Sequence, residues 1–199
     1  MGRPIILFPQ DLVAIQEIIW QVKPDLIVEM GVAHGGSAAF FASLLELNAH
    51  AGGPKDAEVW CAEIDLRSHN RESLVAHPMY PRVKVFDGSS LDADIAATIG
   101  RKASSCKRVL VVLDSNHTHE HVLVELRLYT PLVTVGSYCE IFDTIIEDLE
   151  GVEFTDRPWR KGNNPKTAVA EFLRSNDDLM VDSSIDDRLL ISGAFGSLF

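Results

Sequence analysis

Short apolar runs alternate with stretches of helical periodicity along almost the whole chain, and this alternation restricts the fold more than any other feature. Strands separated by helices reach their neighbours by crossover connections, which gives a parallel sheet with helices on both faces. Leu12, Ile15, Ile19 and Val22 share one face of an opening helix over 10–22, which stops at Pro24. Strands are expected at 25–30, 59–65, 82–86, 108–113 and 137–142. The intervening helices fall at 38–48, through Leu74 and Val75, at 93–100 and at 119–130. A further helix over 165–175 starts on Asn164 as N-cap with Pro165 at its first position. Met180–Asp182 and Arg188–Ser192 read as two final strands. The expected fold class is α/β: a doubly wound, mostly parallel, seven-stranded Rossmann-like sheet with helices on both faces and a C-terminal antiparallel hairpin. It forms one domain over 1–199, with an N-terminal helical segment at 1–24 and a long substrate-side loop at 147–164.

Length and charge narrow the function. A chain of 199 residues suits one domain with its own core. With 29 acidic against 18 basic residues the formal charge is −11, whereas a nucleic-acid binder needs a basic stripe to displace phosphate counterions. Nucleic acid is therefore not an expected partner. Cys61, Cys106 and Cys139 are odd in number and far apart, which gives neither a disulfide nor a zinc framework. The opening MGRPIILFPQDL has too short an apolar stretch for a signal peptide or membrane span. A cytoplasmic location is the expectation. The apolar first helix and the exposed long loop are candidate surfaces for a homo-oligomer.

Between the first strand and the next helix lies Glu29-x-Gly31-x-x-x-Gly35-Gly36-Ser37. Missing side chains there let a ligand approach the backbone and the N–H groups of a helix start. A pyrophosphate fingerprint requires G-x-G-x-x-G, but position 33 is Ala. The spacing is closer to that of S-adenosylmethionine (SAM) sites, and Glu29, Gly31, His34, Gly35 and Ser37 are the candidates at this turn. A tight turn with close helix packing is the structural alternative. Adenosine cofactors in such sheets meet a carboxylate beyond the second strand. Glu63 is the candidate there, with Asp65 next to it as a helix cap. Asp87, Ser89 and Ser90 follow the third strand, where the adenine is expected.

The densest chemistry is Asp114-Ser-Asn-His117-Thr-His119-Glu-His121, which begins where the most apolar strand ends. Asp143 ends the next strand, so Asp114 and Asp143 are expected to converge on a hard cation whose octahedron water or substrate oxygens complete; magnesium fits better than zinc. His117, three residues past Asp114, is placed to take a proton from a metal-bound hydroxyl. Residues spaced i, i+2, i+4 on a helix cannot all face one point, so His117, His119 and His121 do not form a three-histidine site.

On these residues the chain resembles the cephalosporin hydroxylase and rhamnosyl O-methyltransferase family, from Pro24 to Ser192. The segments PDLIVEMGVAHGGSA, LDSNHTHEHVLVELRLY, SYCEIFDTIIED and GNNPKTAVAEFL carry the resemblance. It implies a class I SAM-dependent methyltransferase fold and, in the macrolide-sugar branch, magnesium-dependent methylation of a sugar hydroxyl. It places Glu29, Gly31 and Gly35 at the SAM turn, Glu63 at the ribose, Asp114 and Asp143 at the metal, and His117 as base with Asp114 beside it. One departure stands out. The family pattern, like that of catechol-type methyltransferases, usually has a second acid immediately before the last Asp, where this chain has Phe142. Glu140 faces the same side of the strand and is the expected substitute ligand. Trp159, Asn163 and Asn164 lie in the long loop and are candidates to shape the site of a sugar or other hydroxyl-bearing acceptor. The alternatives are a SAM- or carbohydrate-binding protein without turnover, and an iron/2-oxoglutarate hydroxylase. The latter requires an H-x-D/E pair and a distant His, which the His-Thr-His-Glu-His run supplies only by unusual geometry.

Overall fold

In the computed structural model, which describes residues 1–151, 155–186 and the backbone of 196–198, two five-residue strands are buried at every position. These are β1 (Leu26–Met30) and β4 (Val109–Leu113), the centre of the sheet. Burial on both faces explains their apolar runs, which only Glu29 interrupts. β2 (Glu58–Glu63) and β3 (Val83–Asp87) extend the sheet on one side, and β5 (Cys139–Ile141) and β6 (Gly196–Leu198) on the other. The order is β3-β2-β1-β4-β5-β6, with the first five strands parallel and β6 antiparallel to β5.

Alternate residues of each strand feed two cores. Ile27, Leu110 and Val112 pack under α1 (Pro9–Val22), α2 (Gly36–His50) and α3 (Ser68–Val75). Leu26, Val28, Met30, Val111 and Leu113 pack under α4 (Ala93–Ala103), α5 (His119–Tyr129) and α6 (Pro165–Phe172). The doubly wound architecture is therefore as expected. Among the described residues the sheet has six strands rather than the expected seven, and no C-terminal hairpin is seen. Met180–Asp182 forms no strand and leads into the short helix α7 (Ser183–Asp186), while Arg188–Ser192 lies outside the described residues. The alternation there is too brief and polar to hold a ladder: Asp182 turns into a side-chain cap for Ser184.

Local chemistry sets the helix ends that face the site. α1 has Pro9 at its first position and ends at Lys23, whose left-handed backbone (φ 50°) precedes Pro24. Asp92 caps α4 by accepting the N–H groups of Asp94 and Ile95 at 2.8 and 3.1 Å. Asn164 and Thr167 form a reciprocal capping box at the start of α6, as the Asn-Pro pair predicts. Among the described residues no helix is long and apolar enough to cross a membrane.

Candidate active site at the strand ends

The strand order reverses between β1 and β4, and open α/β sheets place ligands in the crevice at such a point. The crossing is tight. Asp114 N–H donates to Met30 O at 2.8 Å, and a Cβ on Gly31 would lie 2.1 Å from the Asp114 carbonyl oxygen. With φ at +95° as well, position 31 accepts only glycine. Gly35 (φ +78°) then opens α2, and Ala33 also adopts a left-handed backbone (φ 47°), which costs a non-glycine residue roughly 1–2 kcal/mol. Glu63 offsets that cost. One of its oxygens accepts the N–H groups of Val32 and Ala33 at 2.8 and 2.9 Å, and the other accepts Asp65 N–H at 3.0 Å. These backbone hydrogen bonds outweigh partial burial and hold its carboxyl below the usual range.

A cleft of about 330 Å³ opens over these residues, lined by Gly31, Glu63, Ser89, Ser90, Asp114 and Trp159 among others. Not every candidate reaches it. Asp87 points away and pairs with Arg71 on the surface. His34 and Ser37 line a smaller recess beside it, under the N-terminal residues Pro4–Leu7. Arg3 braces that strap by donating to the His34 carbonyl, and a Cβ on Gly36 would strike the Pro4 carbonyl at 2.0 Å. Glu29 lies beneath the turn, 1% exposed, with Cys61 Sγ–H donating to it at 3.2 Å. Burial pushes its carboxyl up to about 7 despite hydrogen bonds from Ser37 and Cys61.

The acidic half of the crevice follows β4 and β5. Asp114, His117 and Asp143 each present a ligand atom within 4.8 Å of the other two. His117 Nε2 lies 3.0 Å from Asp143 Oδ2, and Asp143 adopts a left-handed backbone (φ 58°), which turns it out of the strand. Burial, reinforced first by the negative charge of Asp143, raises the Asp114 carboxyl well above its ordinary value. Burial lowers the His117 pKa, opposed by Asp143, which favours a neutral imidazole. Two carboxylates brought together at a half-buried strand edge suit a hard divalent cation.

Glu140 does not join this group. It is fully buried in the middle of β5, two positions before Phe142, and at roughly 3.3 Å rise per residue that sets it about 6–7 Å back along the chain from that residue. Phe142 packs into the core shared with Ala14, Ile15 and Ile18 of α1.

The three histidines take three directions. His117 meets the Trp159 ring edge-on at 4.8 Å. His119 binds Thr167 at 2.8 Å and Glu171 at 3.2 Å, which ties α5 to α6. His121 turns into the cleft, 3.0 Å from Ser90 Oγ and 3.2 Å from Ser115 Oγ, and is backed by the fully buried Glu125. Asn163 accepts His119 N–H at 2.9 Å and so anchors the loop that carries Trp159, while Asn164 is occupied in capping. Arg157, Ser115 and Asn116, which sequence reasoning did not single out, also line the cleft. Arg157 lies over the Trp159 ring at 5.1 Å, a contact that the charged composition of its loop could not specify.

A reversed parallel sheet with a glycine turn after β1, a carboxylate after β2 and acids after β4 and β5 defines a Rossmann-like methyltransferase fold. CmcI, in a solved structure described as Mg-SAM, superposes with a TM-score of 0.63 at 18% identity, covering 98% of this chain and 72% of that one. A putative caffeoyl-CoA O-methyltransferase from Staphylococcus aureus gives 0.65 at 15% identity, covering 98% of this chain and 85% of that one. The chain belongs to the Rhamnosyl O-methyltransferase/CmcI family, whose model matches residues 1–197. A rhamnosyl O-methyltransferase from Mycobacterium bovis is 30% identical over 132 residues, 66% of this chain and 50% of that protein. The chain thus spans about half the length of the curated relatives it matches.

Proposed function

We propose that the protein is a SAM-dependent, divalent-cation-assisted O-methyltransferase acting on a hydroxyl of a sugar or sugar-containing metabolite, with the described chain forming one catalytic domain. The observation that carries this reading is the meeting, at one strand-end crevice, of the glycine-turn cleft with the Asp114, His117 and Asp143 group. Gly31, Gly35 and Glu63 would hold SAM, with Ser89, Ser90 and His121 towards its adenine and Glu29 supporting the turn from below. Asp114 and Asp143 would hold Mg2+. The cofactor supplies an electrophilic methyl group, and the cation neutralises the acids and stabilises a developing alkoxide.

The chain's own part is to orient and to move a proton. His117, whose pKa burial lowers, would take the acceptor's hydroxyl proton on Nδ1, the ring nitrogen not paired with Asp143. Trp159 covers the imidazole and narrows water access to it. Much of the acceleration would come from holding the hydroxyl and methyl group in line. A rhamnose-type acceptor suits this geometry, since vicinal hydroxyls chelate a hard cation and Trp159 offers a flat apolar wall; the relatives' name supports that choice. The test is release of S-adenosylhomocysteine on incubation with SAM, Mg2+ and a panel of rhamnosides and other vicinal diols. No turnover on any diol, with tight SAM binding indifferent to Mg2+, would establish a non-catalytic binder instead.

A further inference from the structure

We propose that Asp11, on the first turn of α1, is a third carboxylate of the cation centre and acts on it through metal-bound water. This rests on the reading of Asp114 and Asp143 as the residues that hold the cation.

Asp11 is unusual on three counts. It is 1% exposed on a helix whose other buried positions, Ala14, Ile15, Ile18, Ile19 and Val22, are all apolar. Helix capping accounts for only part of its carboxylate: the Phe8 N–H serves one side, whereas Oδ1 is buried with no hydrogen-bond partner. An orphaned carboxylate oxygen is costly unless something positive fills the space beside it. The third count is its surroundings. Asp143 is the charge felt most strongly by Asp11, and Asp11 in turn acts on Asp114. Phe142 at the end of β5 shares a core with Ala14 and Ile15 of α1, so Asp11, Asp114 and Asp143 come from three elements that meet at this end of the sheet.

The distances decide how Asp11 takes part. It lies outside the 4.8 Å group of Asp114, His117 and Asp143, so it is not poised as a direct ligand. Small divalent cations keep several of their waters, and a carboxylate beyond the inner ligands accepts hydrogen bonds from those waters. That role also suits the end of β5, where Phe142 fills the α1 side and leaves Asp143 as the terminal acid. The helix would then supply negative charge to the face where the strand supplies an aromatic ring.

Mn2+ is a suitable probe, since it shares the preference of Mg2+ for octahedral oxygen sites and is read directly by electron paramagnetic resonance. Titration of the full chain should show Asp11→Asn binding Mn2+ about 10- to 100-fold more weakly than the parent, the usual effect of losing such a partner. Asn preserves the side chain's shape and its ability to accept the Phe8 N–H. A second measurement separates folding from binding: the Mn2+-induced rise in the urea midpoint, each variant against its own metal-free form. It should shrink for Asp11→Asn even if metal-free stability changes. Should Asp11→Asn bind Mn2+ within twofold of the parent while Asp114→Asn loses it, Asp11 is only a cap and the inference falls with the metal reading intact. If the parent and Asp114→Asn both fail to bind Mn2+, the metal reading itself fails.

Discussion

The two halves of the crevice are built on opposite electrostatic terms. Beyond the ends of β1 and β2, the carboxylate at the turn is already satisfied: Glu63 accepts three backbone N–H groups and its carboxyl titrates below the usual range, although burial pushes up Glu29 beneath it. Beside β4 and β5, acids crowd one another: Asp114 is raised well above its ordinary value, and Asp11 is pushed up to about 7 by burial and then by Asp143. The first half is shaped before any ligand arrives. In the second, burial and the nearby Asp143 charge disfavour the charged form of Asp114, a cost that a bound cation would relieve. A preorganised cofactor turn and a charge-frustrated metal corner should therefore respond differently to the same kind of substitution.

The largest expected effect tests whether the acidic half carries the chemistry. His117→Ala should lower kcat by about 10³-fold, within the range for loss of a positioned base, and leave SAM affinity within twofold by calorimetry. Turnover retained within tenfold would remove the base assignment. Protonation gives the next effect. Glu29 rises from an ordinary 4.5 to about 7 on folding, so between those values the native state holds a proton that the unfolded chain has lost. Stability must therefore fall as pH rises through that window, by about 3 kcal/mol at most from this group. Asp11 and Asp114 act in the same direction. Urea midpoints of the metal-free protein should drop from pH 5 to pH 8, and Glu29→Gln should flatten part of that slope. A rising midpoint would overturn the account of the buried acids.

What could be read from the chain follows from the same contrast. The strand ends and the residues on them were legible because burial on both faces leaves an uninterrupted apolar run, and the first polar residue after it marks the edge. Glu63 and Asp114 announced themselves in that way, whereas Asp143 follows a strand that Glu140 interrupts. Ala33 was legible only as a departure from a pyrophosphate fingerprint, yet it takes the left-handed backbone that glycine favours, because Glu63, thirty positions on, grips its N–H. Asp11 could not be found from periodicity at all: an acid in a first helical turn reads as a cap, and only tertiary packing brings it within the influence of the Asp143 charge. Asp87 failed for the converse reason, since Arg71 on α3 draws it to the surface.

Glu63→Gln sharpens the comparison from the satisfied side. Replacing a charged acceptor of three N–H groups by an amide should cost about 2 kcal/mol of SAM affinity, or roughly 30-fold, through a looser turn at Val32 and Ala33. Mn2+ affinity should stay within twofold. If both affinities fall together, the crevice is one electrostatic unit and the division into halves is wrong.

The smallest effect concerns the loop that links the two halves. Asn163 Oδ1 accepts His119 N–H at the start of α5, and its Nδ2 donates to Pro158 O at 3.1 Å, so a single side chain fixes the segment that holds Trp159 against His117. Asn163→Ala removes both bonds without touching the cleft lining. The cost should be about 1 kcal/mol, the net value of such bonds where water can replace the lost partner. It should appear as a few-fold rise in KM for the acceptor, with kcat and SAM affinity nearly unchanged. His119→Ala provides the contrast, because its side chain ties α5 to α6 through Thr167 and Glu171 and leaves the Asn163 bond to the backbone N–H in place. That variant should lose a similar amount of stability in urea while keeping the parent KM. Equal KM values for the two variants would mean that the loop is positioned by α6 packing rather than by Asn163, and Trp159 would then belong to the scaffold and not to the acceptor site.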